Sequence, residues 1–156
     1  MSISYANAVR MIVAAALLVL AGCASTPQAS QQRDADAKAF TTYPDAATLY
    51  VYRSPFNQAE SDSVLYLDNR LIGSTLPGGY FRVVVWPGKY TLHGYAHDAG
   101  YLTLDVRPDT LYFIQLTVAA GNSNFQVIPS DEGRKTVVAC CSLLENWAPG
   151  QRPLLR

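Results

Sequence analysis

Short apolar runs that alternate with polar or aromatic residues dominate the chain from residue 46 onward. In the run 101–106, Leu102, Leu104 and Val106 point to one side, and the residues between them point to the other. Because successive side chains of a β-strand point to opposite faces, this period of two predicts strands with one buried face. Runs of this kind occupy residues 47–54, 63–73, 79–88, 89–96, 100–106, 111–119 and 124–129.

Turn-forming residues separate these runs, among them Asp68-Asn69, Pro77-Gly78-Gly79 and Pro87-Gly88. Many short strands with no long helical pattern between them are typical of an all-β sandwich or barrel. One apolar face per strand is what an antiparallel sheet presents when it packs on a second sheet. We therefore expect an all-β fold, an antiparallel β-sandwich of about seven strands, over residues 46–147.

The pattern changes near the end of this region. Ser130 is a candidate N-cap, because its hydroxyl can accept a hydrogen bond from an amide of the first helical turn, and two acidic residues follow it. The apolar residues at helical spacing are Val137, Val138, Cys141 and Leu144. This spacing predicts a short C-terminal helix packed on the sandwich. The run 136–141 could instead form a last strand, since short apolar runs fit both periods.

The first apolar segment of the chain differs from the later ones. Residues 11–22 form one apolar run, and Arg10 precedes it. A helix of these residues would be about 18 Å long, too short for a hydrocarbon core of about 30 Å. A basic residue, a short apolar stretch and small residues at its end are typical of a secretory signal peptide. We therefore expect residues 1–22 to be a signal peptide.

The segment ends with Leu20-Ala21-Gly22-Cys23, which resembles the lipobox of bacterial lipoproteins. In that class a diacylglycerol is attached to the cysteine sulfur, the peptidase cuts before the cysteine, and the new amino group is acylated, for example with palmitate. The resemblance implies cleavage between Gly22 and Cys23 and lipidation of Cys23. Ala24 rather than Asp at the next position implies the outer membrane, with the domain facing the periplasm. More than one acyl chain makes such an anchor in the bilayer stable, since each buried methylene contributes about 0.8 kcal/mol.

Residues 23–45 are rich in Ala, Ser, Gln, Thr and Asp and show little apolar periodicity. This composition is typical of a flexible linker, and a coil of about 20 residues spans roughly 25 Å. The sequence therefore predicts a tether that holds the domain clear of the lipid headgroups. Residues 33–38 could form a helical turn, although nothing in the pattern requires it. At the other end of the chain, residues 148–156 are expected to be a tail.

Composition narrows the range of partners. The chain has 156 residues, of which 49% are hydrophobic and 15% charged, as in an ordinary globular protein. Its formal net charge is zero, and no cluster of Lys and Arg stands out. Binding to the phosphates of nucleic acid needs such a cluster, so we do not expect nucleic acid as a partner.

Three segments carry a resemblance to a known family: residues 47–54, 65–73 and 78–92. The matching positions are Tyr52-Arg53, Asp68, Gly73, Tyr80-Phe81, Pro87-Gly88 and Tyr90. Over roughly residues 46–129 the chain resembles the bacterial domain-of-unknown-function 2846 family, which is found mostly in lipoproteins. The resemblance implies a prealbumin-like or immunoglobulin-like sandwich. Asn69 stands where Gly is usual, and Asn also tolerates the left-handed conformation of a tight hairpin. The family has no established activity.

His93 and His97 are the only histidines of the chain, and Asp98 follows them. On a continuous strand the two would share a face but lie about 13 Å apart, too far for one metal ion. A turn near Gly94 could bring them closer, yet a zinc site needs three or four convergent ligands. We therefore expect no metal and no cofactor, and a metal-dependent enzyme at this hairpin is the least favoured hypothesis.

Cys140 and Cys141 are the only thiols left once Cys23 is lipidated. Free thiols are unusual in the oxidising bacterial envelope. Adjacent cysteines rarely bond to each other because the ring is strained, and a redox pair favours a C-x-x-C spacing. We expect two buried thiols, with an intermolecular disulfide or a redox pair as alternatives.

Patterns of catalytic residues are absent from the sequence. It has no G-x-S-x-G elbow and no Gly-rich phosphate loop, so we expect no catalytic residues and no enzyme activity. The best candidates for ligand contact are Tyr50, Tyr52, Tyr80, Arg82, Trp86, Tyr95 and Tyr101. Such residues can stack on sugars or recognise a partner protein, although large aromatics more often fill cores. We expect a non-catalytic module that binds an envelope component, or alternatively one that contacts peptidoglycan or another glycan.

Overall fold

Two β-sheets packed face to face make up most of the protein. The computed structural model describes residues 26–57, 63–95 and 100–146. The strands in these ranges are β1 (Ala47–Arg53), β2 (Ser63–Leu67), β3 (Arg70–Thr75), β4 (Gly79–Val85), β5 (Gly88–His93), β6 (Tyr101–Val106), β7 (Thr110–Ala119), β8 (Asn122–Ile128) and β9 (Ser142–Leu143). The helices in these ranges are α1 (Gln31–Ala37) and α2 (Ser130–Cys140).

The five-stranded sheet has the order β8-β7-β1-β4-β9, and the four-stranded sheet has the order β3-β2-β5-β6. Neighbouring strands run antiparallel except for two parallel pairs, β1 with β7 and β4 with β9. The predicted all-β sandwich is therefore confirmed, with nine strands in the described ranges rather than about seven. The additional strands arise because the run 63–73 folds into both β2 and β3 and because β9 follows α2.

The order of the described strands can be compared with that of an immunoglobulin domain. In immunoglobulin domains the first and second strands lie side by side in one sheet. Here β1 lies between β4 and β7, and β2 belongs to the other sheet. The described strands therefore do not follow the immunoglobulin order, and the prealbumin-like or immunoglobulin-like type stays a prediction.

The predicted alternation sets the core between the two sheets. Leu104 and Val106 face this core, whereas Thr103 and Asp105 are exposed on the opposite side of β6. The turn at Asp68-Asn69 joins β2 to β3 with both residues at positive φ, 47° and 62°. A two-residue hairpin of this kind needs the left-handed conformation that Asn tolerates, as the sequence predicted for Asn69.

A second buried cluster lies on the outer face of the five-stranded sheet. Tyr50, Tyr52, Tyr80 and Phe113 point out from the sheet, and residues of both helices pack over them. The rings of Tyr50 and Phe113 are nearly parallel, with centroids 5.0 Å apart. Helix α2 can come this close because Gly133 faces Phe113, where an added Cβ would lie 2.3 Å from the Phe113 Cβ.

Residues 26–45 pack on the sandwich, so the prediction of a flexible tether over residues 23–45 is wrong for this part, whereas residues 23–25 lie outside the described residues. Helix α1 begins after Ser30, whose side chain accepts a hydrogen bond from the Arg33 amide. Ala37 at its end is buried, and its carbonyl accepts a 2.7 Å hydrogen bond from the Tyr50 hydroxyl. A helix of seven residues is not stable alone, so these tertiary contacts fix it.

Asp34 links helix α1 to the five-stranded sheet. Its carboxylate accepts hydrogen bonds from the Lys38 ammonium at 2.8 Å, the Tyr80 hydroxyl at 2.9 Å and the Leu143 amide at 2.8 Å. Burial opposes ionisation of this group, but the three hydrogen bonds outweigh it and hold the pKa of the Asp34 carboxyl below its ordinary value. Burial and the hydrogen bond to Asp34 raise the pKa of Tyr80, so its proton stays in place.

The predicted C-terminal helix is confirmed as α2, with a small shift of its start. Ser130 is its first residue rather than its N-cap, and Pro129 holds the cap position without a side-chain hydrogen bond. The alternative of a last strand over 136–141 is wrong, since residues 136–140 continue the helix and β9 begins only at Ser142.

Two of the predicted segments lie outside the described residues. Residues 1–25 and 147–156 are in this group, so the signal peptide, the lipidation of Cys23 and the tail stay predictions. No helix within the described ranges is both long enough and apolar enough to cross a membrane.

Candidate functional site

The outer face of the four-stranded sheet carries a group of aromatic side chains that we call the aromatic row: Tyr66, His93, Tyr95 and Tyr101. Tyr66 lies on β2, His93 ends β5, Tyr95 follows it, and Tyr101 begins β6. Tyr95 and Tyr101 are the most exposed members, at 66% and 74% of their surface. Both helices of the described ranges pack on the other sheet, so neither of them covers this face.

The strand register brings the aromatic row together. His93 pairs with Tyr66 on one side and with Tyr101 on the other. The rings of Tyr66 and His93 are stacked, with centroids 5.2 Å apart and planes 6° apart. The rings of Tyr66 and Tyr95 are also stacked, with centroids 6.3 Å apart and planes 25° apart. Residues directly opposite on neighbouring strands lie within reach of one another, so the sheet itself positions this row.

The same face continues with small polar and charged pairs. Thr91 lies opposite Thr103, with their hydroxyls 3.2 Å apart, and Lys89 lies opposite Asp105. Flat ring faces beside hydroxyls and a pair of opposite charges can bind a partner by stacking and hydrogen bonding. This arrangement is suited to the recognition of a partner.

His93 is held as part of the aromatic row. Its Nδ1 donates a 2.7 Å hydrogen bond to the Gly94 carbonyl, and its Nε2 is buried without a hydrogen-bond partner among the described residues. His97 and Asp98 lie outside the described residues, so their distance from His93 stays a prediction. Within the described ranges, no three His, Cys, Asp or Glu side chains are grouped as a metal site requires.

The aromatic candidates from the sequence divide between the two sheets. Tyr50, Tyr52 and Tyr80 belong to the cluster under the helices, where burial raises the pKa of each hydroxyl. They are therefore not available to a ligand. Tyr95 and Tyr101 are exposed members of the aromatic row. Sequence reasoning missed Tyr66, although the alternation of β2 between buried and half-buried positions places it on the outer face.

Arg82 and Trp86, the other two candidates, are half-buried on or beside β4. The Arg82 guanidinium donates a 2.8 Å hydrogen bond to the Tyr43 hydroxyl and lies 5.6 Å from the centre of that ring. Trp86 follows β4, and its carbonyl accepts a hydrogen bond from the Tyr90 hydroxyl. Neither residue is part of the aromatic row.

A cleft of about 280 Å³ lies between α1, β4 and residues 143–146. Its charged lining consists of Arg33, Asp36, Arg82 and Glu145, and Phe81 is part of its apolar wall. Arg33 forms an ion pair with Glu145 across it. Among the described residues that line it there is no Ser, Cys or His, so they do not form a Ser–His or Cys–His pair. Sequence reasoning missed this cleft because its walls come from distant parts of the chain.

Cys140 and Cys141 form a disulfide with each other, so the expectation of two buried thiols is wrong. The prediction placed both residues inside a helix, where adjacent side chains point about 100° apart. Helix α2 instead ends at Cys140, and Cys141 is extended, with φ −128° and ψ 148°. This change of backbone conformation lets the two side chains meet.

Comparison with known proteins adds one relative. The chain is similar to an uncharacterized protein of Haemophilus influenzae, with 27% identity over 127 residues that cover 77% of this chain and 75% of that protein. No protein-family profile matches the chain, and no solved structure matches it. The resemblance to the domain-of-unknown-function family therefore stays a prediction.

Proposed function

We propose that the protein is a lipid-anchored lipoprotein of the bacterial outer membrane whose sandwich faces the periplasm and binds another envelope component. Acylated Cys23 holds the chain in the bilayer. The aromatic row on the four-stranded sheet is the contact surface. The proposal contains no catalytic step.

The accessibility of the aromatic row carries the binding part of this proposal. Tyr95 and Tyr101 expose most of their surface to solvent, next to the stacked rings of Tyr66 and His93. Aromatic residues are enriched in the buried centres of protein interfaces, because they bury large areas at a small cost in entropy. A row of such residues on a sheet face that neither described helix covers therefore favours a partner.

Crosslinking in living cells tests the contact surface. A photo-reactive amino acid at Tyr101 is expected to capture a defined partner of the envelope. The same residue at Lys135, which is exposed on α2, serves as the control and is expected to capture that partner much less. Equal capture from both positions, or none from either, would contradict the aromatic row as the contact surface.

Intact mass spectrometry tests the anchor independently. The mature chain is expected to begin at Cys23 and to carry the mass of a diacylglycerol and a further acyl group. A mature chain that still begins at Met1, with no added acyl mass, would contradict the anchor.

Binding to peptidoglycan or another glycan is the second candidate function, and the exposed rings of Tyr95 and Tyr101 favour it. Sugars present apolar faces that can stack on aromatic rings. A Tyr side chain offers both an apolar ring for stacking and a hydroxyl for hydrogen bonding. Purified protein is then expected to be retained on isolated sacculi in moderate salt, and a Tyr95→Ala/Tyr101→Ala variant is expected to lose most of that retention. Unchanged retention of the variant would contradict this function for the aromatic row.

A further inference from the structure

The segment that follows the predicted lipidation site is fixed to the sandwich almost from its first residues. Thr26 is only 3% exposed, and its hydroxyl donates a 2.9 Å hydrogen bond to the Ser74 carbonyl on β3. The Glu145 amide donates to the Pro27 carbonyl at 2.8 Å, and the Ala29 amide donates to the Leu143 carbonyl at 2.8 Å. Residues 26–29 thus run antiparallel beside β9 and extend the edge of the five-stranded sheet.

The covalent chain leaves little distance between this edge and the anchor. Only three peptide units separate Cys23 from Thr26. Because consecutive Cα atoms are about 3.8 Å apart, the two Cα atoms can be at most about 11 Å from each other in any conformation. The headgroup region of one leaflet is about 5 to 8 Å thick. An anchor of this length reaches through the headgroups and hardly beyond them.

We propose that the sandwich rests directly on the bilayer, with the edge formed by residues 26–29 and β9 against the lipid headgroups. This inference rests on the proposed lipidation of Cys23 and goes beyond it, because a lipid anchor alone does not fix which side of the domain meets the membrane. This edge faces the bilayer, and the planes of the two sheets lie roughly perpendicular to the membrane, so that neither outer sheet face contacts it.

The chemistry of this edge suits headgroups rather than hydrocarbon. Pro27, Gln28 and Ser30 are exposed there, and Arg33 lies next to them with its guanidinium paired to Glu145. Residues 26–30 and 142–145 include none of the large apolar side chains that the described ranges expose. The edge therefore lies on the lipid surface without inserting into it.

Fluorescence quenching in vesicles tests the orientation. The lipidated protein is placed in phosphatidylethanolamine–phosphatidylglycerol vesicles that contain a lipid with a nitroxide on its headgroup. A thiol-reactive fluorophore is attached, without reductant, to Gln28→Cys or to Gln126→Cys. Both glutamines are exposed, and they lie at opposite edges of one sheet, five strand spacings or about 24 Å apart. The label at position 28 is expected to be quenched several-fold more than the label at position 126.

A linker insertion separates the anchor's length from other causes of quenching. A Gly-Ser segment of about 20 residues between Ser25 and Thr26 adds a mean reach of roughly 25 Å. It is expected to lower the quenching at position 28 to the level seen at position 126. Equal quenching of the two labels without the insertion, or unchanged quenching at position 28 with it, would overturn the orientation. If the protein still binds the vesicles in that case, the proposed lipid anchor is not contradicted.

A Cys23→Ser variant tests the proposed lipid anchor separately from the orientation. It is expected to stay off the vesicles, whereas the wild-type protein floats with them. If both proteins float equally or neither does, the lipid anchor is wrong, and the orientation derived from it falls as well.

Discussion

The two outer faces of the sandwich carry the same kind of side chain and use it differently. On the five-stranded sheet, Tyr50, Tyr52, Tyr80 and Phe113 are buried under α1 and α2. On the four-stranded sheet, Tyr95 and Tyr101 of the aromatic row are exposed, Tyr101 at 74%, beside the half-buried Tyr66 and His93. An aromatic residue at an outward position of a strand therefore does not reveal whether it belongs to a core or to a binding surface. The decision depends on what packs over it.

The comparison also separates stability from binding. The covered face contributes to stability because its rings leave water when the helices dock, at about 25 cal/mol for each Å² of apolar surface buried. The open face gains little in this way and keeps its rings available for a partner. Substitutions on the covered face are therefore expected to lower stability, and substitutions on the open face to weaken binding with little change in stability.

The largest effect is expected from Phe113→Ala on the covered face. The substitution removes a fully buried ring that stacks on Tyr50 and contacts Phe40, and it leaves a cavity beneath α2. A loss of about 3–5 kcal/mol in the free energy of unfolding is expected, measured by urea denaturation. A loss below about 1 kcal/mol would mean that the helices contribute little on this face.

Gly133→Ala is expected to have the next largest effect, because it pushes α2 away from the sheet. The new methyl group would lie 2.3 Å from the Phe113 Cβ. Because this Cβ is bonded directly to the backbone, it can move away only if the strand or the helix shifts. Alanine favours a helix by about 1 kcal/mol over glycine, so a net loss of roughly 1–2 kcal/mol is expected after that gain. Lys135→Ala on the exposed side of the same helix is the control, with a change below about 0.5 kcal/mol. A stabilised Gly133→Ala protein would show that α2 does not pack this closely.

Asp34→Asn is expected to weaken the docking of α1 by about 1 kcal/mol at pH 7, since hydrogen bonds to a charged carboxylate become weaker bonds to a neutral amide. The lowered pKa of the Asp34 carboxyl means that its contribution is complete above about pH 4 and disappears as the pH falls through its folded value. The difference in unfolding free energy between the two proteins should therefore shrink in acid. Asp36→Asn, an exposed position on the same helix, should cost little at any pH. A difference that is constant from pH 7 to pH 3 would contradict the role of the charge.

Tyr101→Ala on the open face is expected to have the smallest effect on stability, within about 0.5 kcal/mol of the wild-type value. Its ring is mostly in water, so its removal leaves no cavity. The same urea measurement that detects Phe113→Ala checks this value. A loss as large as that of Phe113→Ala would show that the aromatic row is a third core rather than a contact surface.

Local patterns in the sequence determined the strands, the direction in which each strand presents its apolar side, and the existence of α2. These features follow from the alternation and spacing of apolar residues within about ten positions. This local pattern is the same wherever the element lies in the fold. The turn at Asp68-Asn69 was predictable for the same reason, because the left-handed conformation is a property of the residues themselves.

Tertiary structure alone decided which sheet face is covered, that residues 26–37 are fixed to the sandwich, and that Cys140 bonds to Cys141. Asp34 meets Leu143 at a separation of 109 residues, and Arg33 meets Glu145 at a separation of 112. No local period encodes contacts between such distant residues. A seven-residue helix also has too little stability of its own to be predicted from its sequence alone. The disulfide likewise depended on where α2 ends, which is set by the pairing of β9 with β4.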